Sequence, residues 1–359
     1  MERGFKRASR RLLDRGVWGV VSGGAGEGRP HETGRRAHRF AGFGLVIGAM
    51  AALLGCSVTA KTGDPALPPG FEERGIPDVD VNGLVYVSTG HTLLVSLGAF
   101  GDVDDAKGAA AVSIESVVRE PEREYAGRIE FADEATAQAV AELALEAAGD
   151  AAARWVQVER RFVSIGRSDV AWGDDIRAAW AGDKRVPLAD RYPEVWDTLR
   201  LLPEAPPSPP VAVGFGRNVA AVLDSTLDAT GVSLPGLSSA FALVRADVAV
   251  FAAYAEGLPE LPEQITRELL RDSNVGIIAV AEAGYPGFVV SFLFDLFVER
   301  AGLAEVDVGD TTAHYRAIDD DLHLMVKAYG SSIFLTLASS KPGAEDLVRA
   351  VVSSQESRS

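Results

Sequence analysis

A cluster of prolines near the middle of the chain limits the folds that the sequence can adopt. Five prolines fall between residues 203 and 210, in the stretch LLPEAPPSPPVAV. Proline has a fixed φ and no backbone N–H, so this stretch is unsuited to a helix or a central strand and is typical of a semi-rigid polyproline connector. We therefore predict a linker at residues 204–210, between a first domain at residues 82–203 and a second domain at residues 211–354. A short disordered tail is predicted at residues 355–359.

The two predicted domains show the same order of secondary structure. In the first, AAVSIESVV and YAGRIEF alternate in polarity as strands do, and ADEATAQAVAELALEAAG has the spacing of a helix that begins after Asp133. RWVQVERR and FVSIGRS indicate two more strands, and a helix follows them. The second domain repeats this β-β-α-β-β-α order, and YAG at residues 125–127 parallels YPG at residues 285–287. We expect an α+β fold of two similar domains, each an antiparallel-type sheet packed with helices, and the parallel favours an internal duplication.

An apolar segment near the N-terminus indicates export. Residues 40–54 contain no charged or strongly polar residue, and the basic stretch RRAHR precedes them at residues 35–39. A helix of fifteen residues is about 22 Å long, shorter than the roughly 30 Å apolar core of a bilayer. A basic flank, a short apolar segment and small residues at its end are typical of a signal peptide.

Cys56, the single cysteine of the chain, lies directly after this segment. The stretch Leu53, Leu54, Gly55 and Cys56 resembles the lipobox of bacterial lipoproteins, in which a dedicated peptidase cuts before a cysteine whose sulfur carries a diacylglyceryl group. The resemblance implies that Cys56 is lipidated and that Leu53, Leu54 and Gly55 are recognised by the peptidase. The alternative is a buried free cysteine in a core helix.

The resemblance also implies how the chain is organised around this residue. Residues 1–55 would be an N-terminal extension and signal peptide. Residues 56–81, rich in Pro, Gly, Ser and Thr, would be the lipidated cysteine and a flexible tether. The protein would then be held at the cell membrane by its lipid anchor on the extracytoplasmic side, at the outer face or in the periplasm.

Charge is distributed unevenly along the chain. Of its 35 Lys and Arg residues, ten lie before residue 56, and of its 51 Asp and Glu residues, four do. The remaining 25 basic and 47 acidic residues give the rest of the chain a net charge of −22. Nucleic acid would repel such a body, so we expect no nucleic-acid partner.

Four tryptophans lie close together in the sequence of the first domain, beside several arginines. They are Trp155, Trp172, Trp180 and Trp196. Together they form a candidate binding surface for a carbohydrate or a peptide, with packing in the core as the alternative.

Three further patterns are each better explained by ordinary structure. Asp78, Asp80 and Asn82 begin like a calcium loop, but position twelve is Thr89, so a polar turn is favoured. Gly214 and Gly216 lack the third glycine of a dinucleotide fingerprint and favour a tight turn. His314 and His323 flank IDDD at residues 318–321, where a hairpin is favoured over a metal site. We therefore predict no catalytic residue, no metal and no cofactor.

The sequence favours an envelope protein with a binding or scaffolding role. Its partners would be the membrane, through the anchor at Cys56, and an unknown envelope protein or small ligand. One alternative is an envelope hydrolase that uses paired carboxylates. Another is a carrier that holds a hydrophobic ligand between a sheet and the apolar helix predicted at residues 288–297.

Overall fold

The computed structural model describes most of the chain after residue 63. The described residues are 64–88, 111–119, 124–148, 154–167, 170–182, 184–203, 210–217, 246–255, 276–320 and 322–356. All of them belong to one compact unit, residues 61–359. The predicted signal peptide, the lipobox-like residues Leu53, Leu54, Gly55 and Cys56, and most of the predicted linker lie outside the described residues.

The described residues form seven helices and fourteen strands. The helices are α1 (Phe71–Arg74), α2 (Glu134–Ala148), α3 (Val170–Ala181), α4 (Leu188–Arg191), α5 (Pro193–Leu199), α6 (Gly287–Ala301) and α7 (Lys341–Glu356). The strands are β1 (Ile76–Pro77), β2 (Gly83–Ser88), β3 (Ala111–Arg119), β4 (Glu124–Phe131), β5 (Arg154–Glu159), β6 (Phe162–Arg167), β7 (Arg185–Val186), β8 (Ala212–Arg217), β9 (Val248–Tyr254), β10 (Gly276–Glu282), β11 (Ala304–Val308), β12 (Thr311–Asp319), β13 (Leu322–Tyr329) and β14 (Ser332–Ala338).

Local chemistry explains where several helices begin and end. The predicted start of α2 after Asp133 is confirmed, since the Thr136 backbone N–H donates to Asp133 Oδ1 at 2.8 Å, which satisfies a free donor of the first turn. Helix α5 begins at Pro193, where a missing N–H costs no helical hydrogen bond. Helix α6 ends at Ala301 and is capped by Gly302, whose φ of +64° is the left-handed conformation that glycine adopts without strain.

Twelve of these strands form one antiparallel sheet. Its order is β11-β12-β13-β14-β10-β9-β8-β2-β3-β4-β6-β5, and the two remaining strands, β1 and β7, pair with each other. The two predicted domains meet at β2 and β8, where Val85 pairs with Gly214. The mixed helix and antiparallel-sheet class is therefore confirmed, whereas two separate domains, 82–203 and 211–354, are not. A pairing between strands on either side of the proline cluster joins them into one sheet.

The strand order is nevertheless similar on the two sides of the β2–β8 pair. Strands β2-β3-β4 extend in one direction and β8-β9-β10 in the other. After α2, strand β6 returns beside β4, and after α6, strand β14 returns beside β10. Three strands of this sheet precede the helix on each side, and four strands follow it on the second side where two follow it on the first, so the predicted β-β-α-β-β-α order is wrong. The order that the two sides share is compatible with a duplication, which stays a prediction.

The helices cover both faces of the sheet. Successive residues of a strand point to opposite faces, as Leu84 and Val85 do. On the first face, α3, α5 and α7 pack over one large core that includes Trp172, Leu199 and Leu347. On the second face, α2 and α6 each pack over a core of their own.

Two predicted boundaries are wrong. Residues 64–81, predicted as part of the flexible tether, belong to the folded body, where Phe71 and Ile76 are buried and Ile76 pairs with Val186. These short elements carry no periodicity that a sequence pattern could reveal. The predicted tail begins inside α7, since Gln355 is buried and its Nε2 donates to the Leu201 carbonyl at 3.0 Å.

Candidate functional site

A row of polar side chains lies on the first face where β3 and β4 pair. Ser113 lies opposite Glu130, and Glu115 lies opposite Arg128. Glu115 and Glu130 are only 2% and 3% exposed. Because a buried carboxylate is costly unless it is paired and hydrogen-bonded, each of them needs partners from the elements above the sheet.

Glu130 receives its partners from three directions. The Arg74 guanidinium, at the end of α1, forms an ion pair with Glu130 Oε2, and Ser113 Oγ donates to the same oxygen at 2.9 Å. Arg161 Nη2 lies 2.7 Å from the other oxygen, Oε1. Burial opposes ionisation of Glu130, but the hydrogen bonds from Arg74 and Ser113 outweigh it, so the pKa of Glu130 lies below its ordinary value.

Glu115 is held by groups from β7 and α3. Arg185 Nη2 forms an ion pair with Glu115 Oε2, and Trp180 Nε1 donates to Oε1 at 3.3 Å. Arg185 also donates from Nε to the Arg74 carbonyl at 2.8 Å and from Nη2 to the Gly75 carbonyl at 2.7 Å. One side chain therefore attaches the segment around α1 to the sheet. Glu159, the last residue of β5, is a further negative charge that acts on Arg128. We call Arg74, Glu115, Arg128, Glu130, Glu159, Arg161 and Arg185 the arginine–glutamate cluster.

The structure does not unite the four predicted tryptophans in one exposed surface. Trp172 and Trp180 are buried on α3, and Trp172 Nε1 donates to the Asp80 carbonyl at 3.2 Å. Trp196 is half-buried against the core of the first face. Trp155 packs beside Trp180, with ring centroids 6.4 Å apart, and Arg177 lies over the Trp155 ring at 5.1 Å. Packing, the alternative given by the sequence, accounts for the buried pair.

The structure assigns ordinary roles to the weaker acidic and glycine patterns. Asp80 Oδ1 accepts from Tyr192 Oη at 3.2 Å and lies 3.4 Å from Arg217, and Asp78 lies 3.3 Å from Arg191. Gly214 and Gly216 lie inside the central strand β8, so the tight turn predicted there is wrong.

The two histidines lie on opposite faces of the sheet. The His314 ring contacts Phe294 of α6 on the second face. On the first face, Tyr315 Oη lies 2.9 Å from His323 Nδ1. The predicted hairpin between β12 and β13 is confirmed. Within the described ranges, no three metal-ligating side chains lie together.

Helix α6 carries an exposed apolar row. Phe288, Phe292 and Leu296 are 62%, 64% and 49% exposed. A spacing of four residues places them along one side of the helix. The exposed residues beside this row are polar: Ser291, Asp295 and Glu299. We call Phe288, Phe292 and Leu296 the apolar row.

The opposite side of α6 is buried. Val290, Phe294 and Val298 pack against a core on the second face that includes Leu324 and Val326. The apolar composition of residues 288–297 favours a helix that is covered on both sides, but the side that bears the apolar row is exposed. In the part of the chain that the structure describes, the helices are all too short or too polar to span a bilayer.

No protein-family model and no curated protein matches this chain. Crystal structures of a protein named TP0453 are distantly similar to it. Crystal form I has a TM-score of 0.38 and 9% sequence identity, and the similarity covers 81% of this chain and 98% of that chain. Form III has a TM-score of 0.37 with 9% identity, covering 80% and 99%. These scores are too low to support an argument about function.

Proposed function

We propose that this chain is an exported, lipid-anchored envelope protein with a binding or scaffolding role. The lipobox-like residues up to Cys56 support the anchor, and the apolar row of α6 is the structural observation that carries the proposal. The described body begins at Asp64, eight residues after Cys56. Eight extended residues span about 26 Å, so an anchor at Cys56 would hold the body close to the bilayer.

The size of the apolar row fits contact with lipid. Its three side chains expose roughly 300 Å² of apolar surface. A patch of this size on a folded protein is often functional, but it is smaller than the roughly 800 Å² that each partner buries in a stable protein complex. Lipid chains, in contrast, can surround a narrow row without a complementary surface. The row therefore supports contact with the membrane that the anchor would bring near.

The arginine–glutamate cluster favours binding over hydrolysis. A hydrolase with paired carboxylates needs one carboxyl group that stays protonated near neutral pH to act as an acid. Glu130 has a lowered pKa and is ionised at neutral pH, and Glu115 is paired with Arg185. Both carboxylates are used to hold arginines.

The buried side of α6 gives little support to a carrier of hydrophobic ligands. Val290 and Leu324 are completely buried and belong to one packed core. A ligand between α6 and the sheet would have to displace such side chains. The exposed side of the helix is the side available to an apolar partner.

The proposal also includes a divergent internal duplication. It is supported by the order of strands and helices shared by the two sides of the β2–β8 pair. A pairing between the first strands of two repeats would bury an edge that each repeat alone would leave open.

The lipid anchor is tested by labelling a bacterial host with radioactive palmitate. We expect the wild-type chain to incorporate label and to partition into detergent, and the Cys56→Ala variant to do neither. Ser57→Ala is the matched control, since it changes the next residue and leaves the lipobox-like residues intact. Equal labelling of wild type and Cys56→Ala would refute the anchor.

Contact between the apolar row and lipid is tested with tryptophan as a depth probe. Phe292→Trp is placed in the full-length chain on phosphatidylcholine vesicles whose acyl chains carry bromine, a quencher of tryptophan fluorescence. Leu145→Trp is the control, because Leu145 is 55% exposed on α2. We expect quenching beyond that of the native tryptophans for Phe292→Trp only. The same quenching in both variants would refute specific contact through α6.

A further inference from the structure

Two buried N–H groups of the arginine–glutamate cluster have no acceptor. They are Nη1 of Arg185 and Nε of Arg128, and neither has a hydrogen-bond partner among the described residues. The Arg185 side chain is only 10% exposed. A buried donor without an acceptor is costly, and most such donors in folded proteins are satisfied by protein, water or a ligand.

The two arginines lie in the same part of the cluster. Arg128 lies opposite Glu115 on the paired strands, and Arg185 forms its ion pair with Glu115. Glu115 has its two oxygens engaged by Arg185 and Trp180. Burial and the nearby positive charge of Arg185 lower the pKa of Arg128. Arg128 is thus a half-buried cation beside a second cation, and no carboxylate in the described chain forms an ion pair with it.

The half-buried Arg128 guanidinium packs against an aromatic ring. It lies over the Phe162 ring, 4.1 Å from the ring centroid. Phe162 is half-buried, and the neighbouring Arg161 is 53% exposed. A guanidinium has a planar set of donors, the geometry that binds an oxyanion through two parallel hydrogen bonds.

The charges of the cluster indicate which anion fits. It contains four arginines and three glutamates, so one positive charge is left over. A carboxylate carries one negative charge, whereas phosphate carries between one and two near neutral pH. We propose that Arg128 and Arg185 form a binding site for a single carboxylate group, supplied by a small organic acid or by the C-terminus of a peptide.

This proposal specifies a ligand class for the binding role proposed above and rests on that role. The two fail separately, since loss of palmitate labelling leaves carboxylate binding intact, and loss of carboxylate binding leaves labelling intact.

The test uses the full-length chain in detergent, titrated with sodium acetate while sodium chloride keeps the ionic strength constant. We expect the unfolding temperature of the wild type to rise with acetate concentration, because a ligand that binds only the folded state stabilises it. Calorimetry should show acetate binding at least about tenfold weaker in Arg128→Gln, the loss expected for one charge-assisted hydrogen bond. Arg128→Lys, which keeps the charge but not the planar set of donors, should also bind more weakly.

Arg177→Gln is the matched control. Arg177 pairs with Asp174 and lies over Trp155, outside the proposed site, so its replacement should leave acetate binding unchanged. Without acetate, Arg128→Gln should be at least as stable as the wild type, because it removes a cation that lacks an ion pair. Trialanine with a free C-terminus and trialanine amide test whether a peptide C-terminus can supply the carboxylate. Binding of acetate supports the proposal, and so does binding of the free peptide without binding of the amide.

Three results would overturn the proposal. One is a wild type that responds equally to acetate, to both forms of trialanine and to chloride. Another is an Arg128→Gln variant that binds acetate as the wild type does. The third is inorganic phosphate binding more tightly than any carboxylate probe at equal ionic strength.

Discussion

Replacement of Glu115 by glutamine tests the structural role of the arginine–glutamate cluster. The variant keeps the shape of the side chain but leaves Arg185 buried without its counter-charge. Removing one partner of a buried ion pair costs about 3 to 5 kcal/mol. Arg185 keeps its hydrogen bonds to the carbonyls of Arg74 and Gly75, so we expect the lower end, about 3 kcal/mol. The entropy of unfolding is about 2 cal/mol/K per residue, and the body has roughly 300 residues. This loss of stability therefore lowers the unfolding temperature by about 5 °C.

The assay is thermal unfolding followed by circular dichroism at neutral pH. Glu146→Gln is the matched control, since Glu146 is exposed on α2 and its replacement should change stability by less than about 0.5 kcal/mol. The double variant Glu115→Gln/Arg185→Met should recover part of the lost stability, because Arg185 no longer stays buried without its counter-charge, although its hydrogen bonds to the Arg74 and Gly75 carbonyls are lost as well. An unfolding temperature for Glu115→Gln that equals that of the control would refute the proposed role of the cluster.

Two further predictions concern the sheet and its response to acid. Gly214→Ala places a methyl group 2.4 Å from the Phe251 ring and 2.8 Å from the Leu84 carbonyl, so urea unfolding should show a loss of about 1 to 3 kcal/mol. A variant as stable as the wild type would contradict this prediction, because a shift of Phe251 alone would leave the contact with the Leu84 carbonyl. Because the pKa of Glu130 lies below its ordinary value of 4.5, the stability that its ionised form contributes is present above pH 4.5 and is lost as the pH falls through the lowered value. As the pH falls through this range, the free energy of unfolding should decrease less steeply for Glu130→Gln than for the wild type. Equal slopes in the two proteins would contradict the lowered pKa of Glu130.

The elements that the sequence predicts well are those with a strong local pattern. The alternation in AAVSIESVV and YAGRIEF locates β3 and β4, and the spacing after Asp133 locates α2. The single sheet depends on pairing between β2 and β8, which are more than a hundred residues apart in the sequence. No local pattern contains that information, so the sequence suggested two domains.

The arginine–glutamate cluster shows the same limit at the level of a site. Arg74 belongs to a segment whose composition predicts a flexible tether. Arg185 belongs to a strand of two residues, which is too short to show a sequence pattern. The sequence does contain one indication of this site. Glu115 and Glu130 fall at core-facing positions of strands whose residues alternate in polarity, and an acid at such a position requires a partner. The partners themselves come from elements that only the folded chain brings together.

Helix α6 shows how composition alone can mislead. The segment is apolar on nearly all sides, which is typical of a helix covered on every side. The structure buries Val290 and Phe294 but leaves Phe288 and Phe292 exposed. The sequence thus indicates how much apolar surface the helix has, and the fold decides which part of it is available to a partner.

Mass spectrometry of the N-terminal peptide of the mature protein tests the proposed lipid anchor at Cys56. We expect this peptide to begin at Cys56, to carry a diacylglyceryl group on the cysteine sulfur, and to continue with Ser57. A mature chain that retains the residues before Cys56, or in which Cys56 has a free thiol, would refute the proposed anchor.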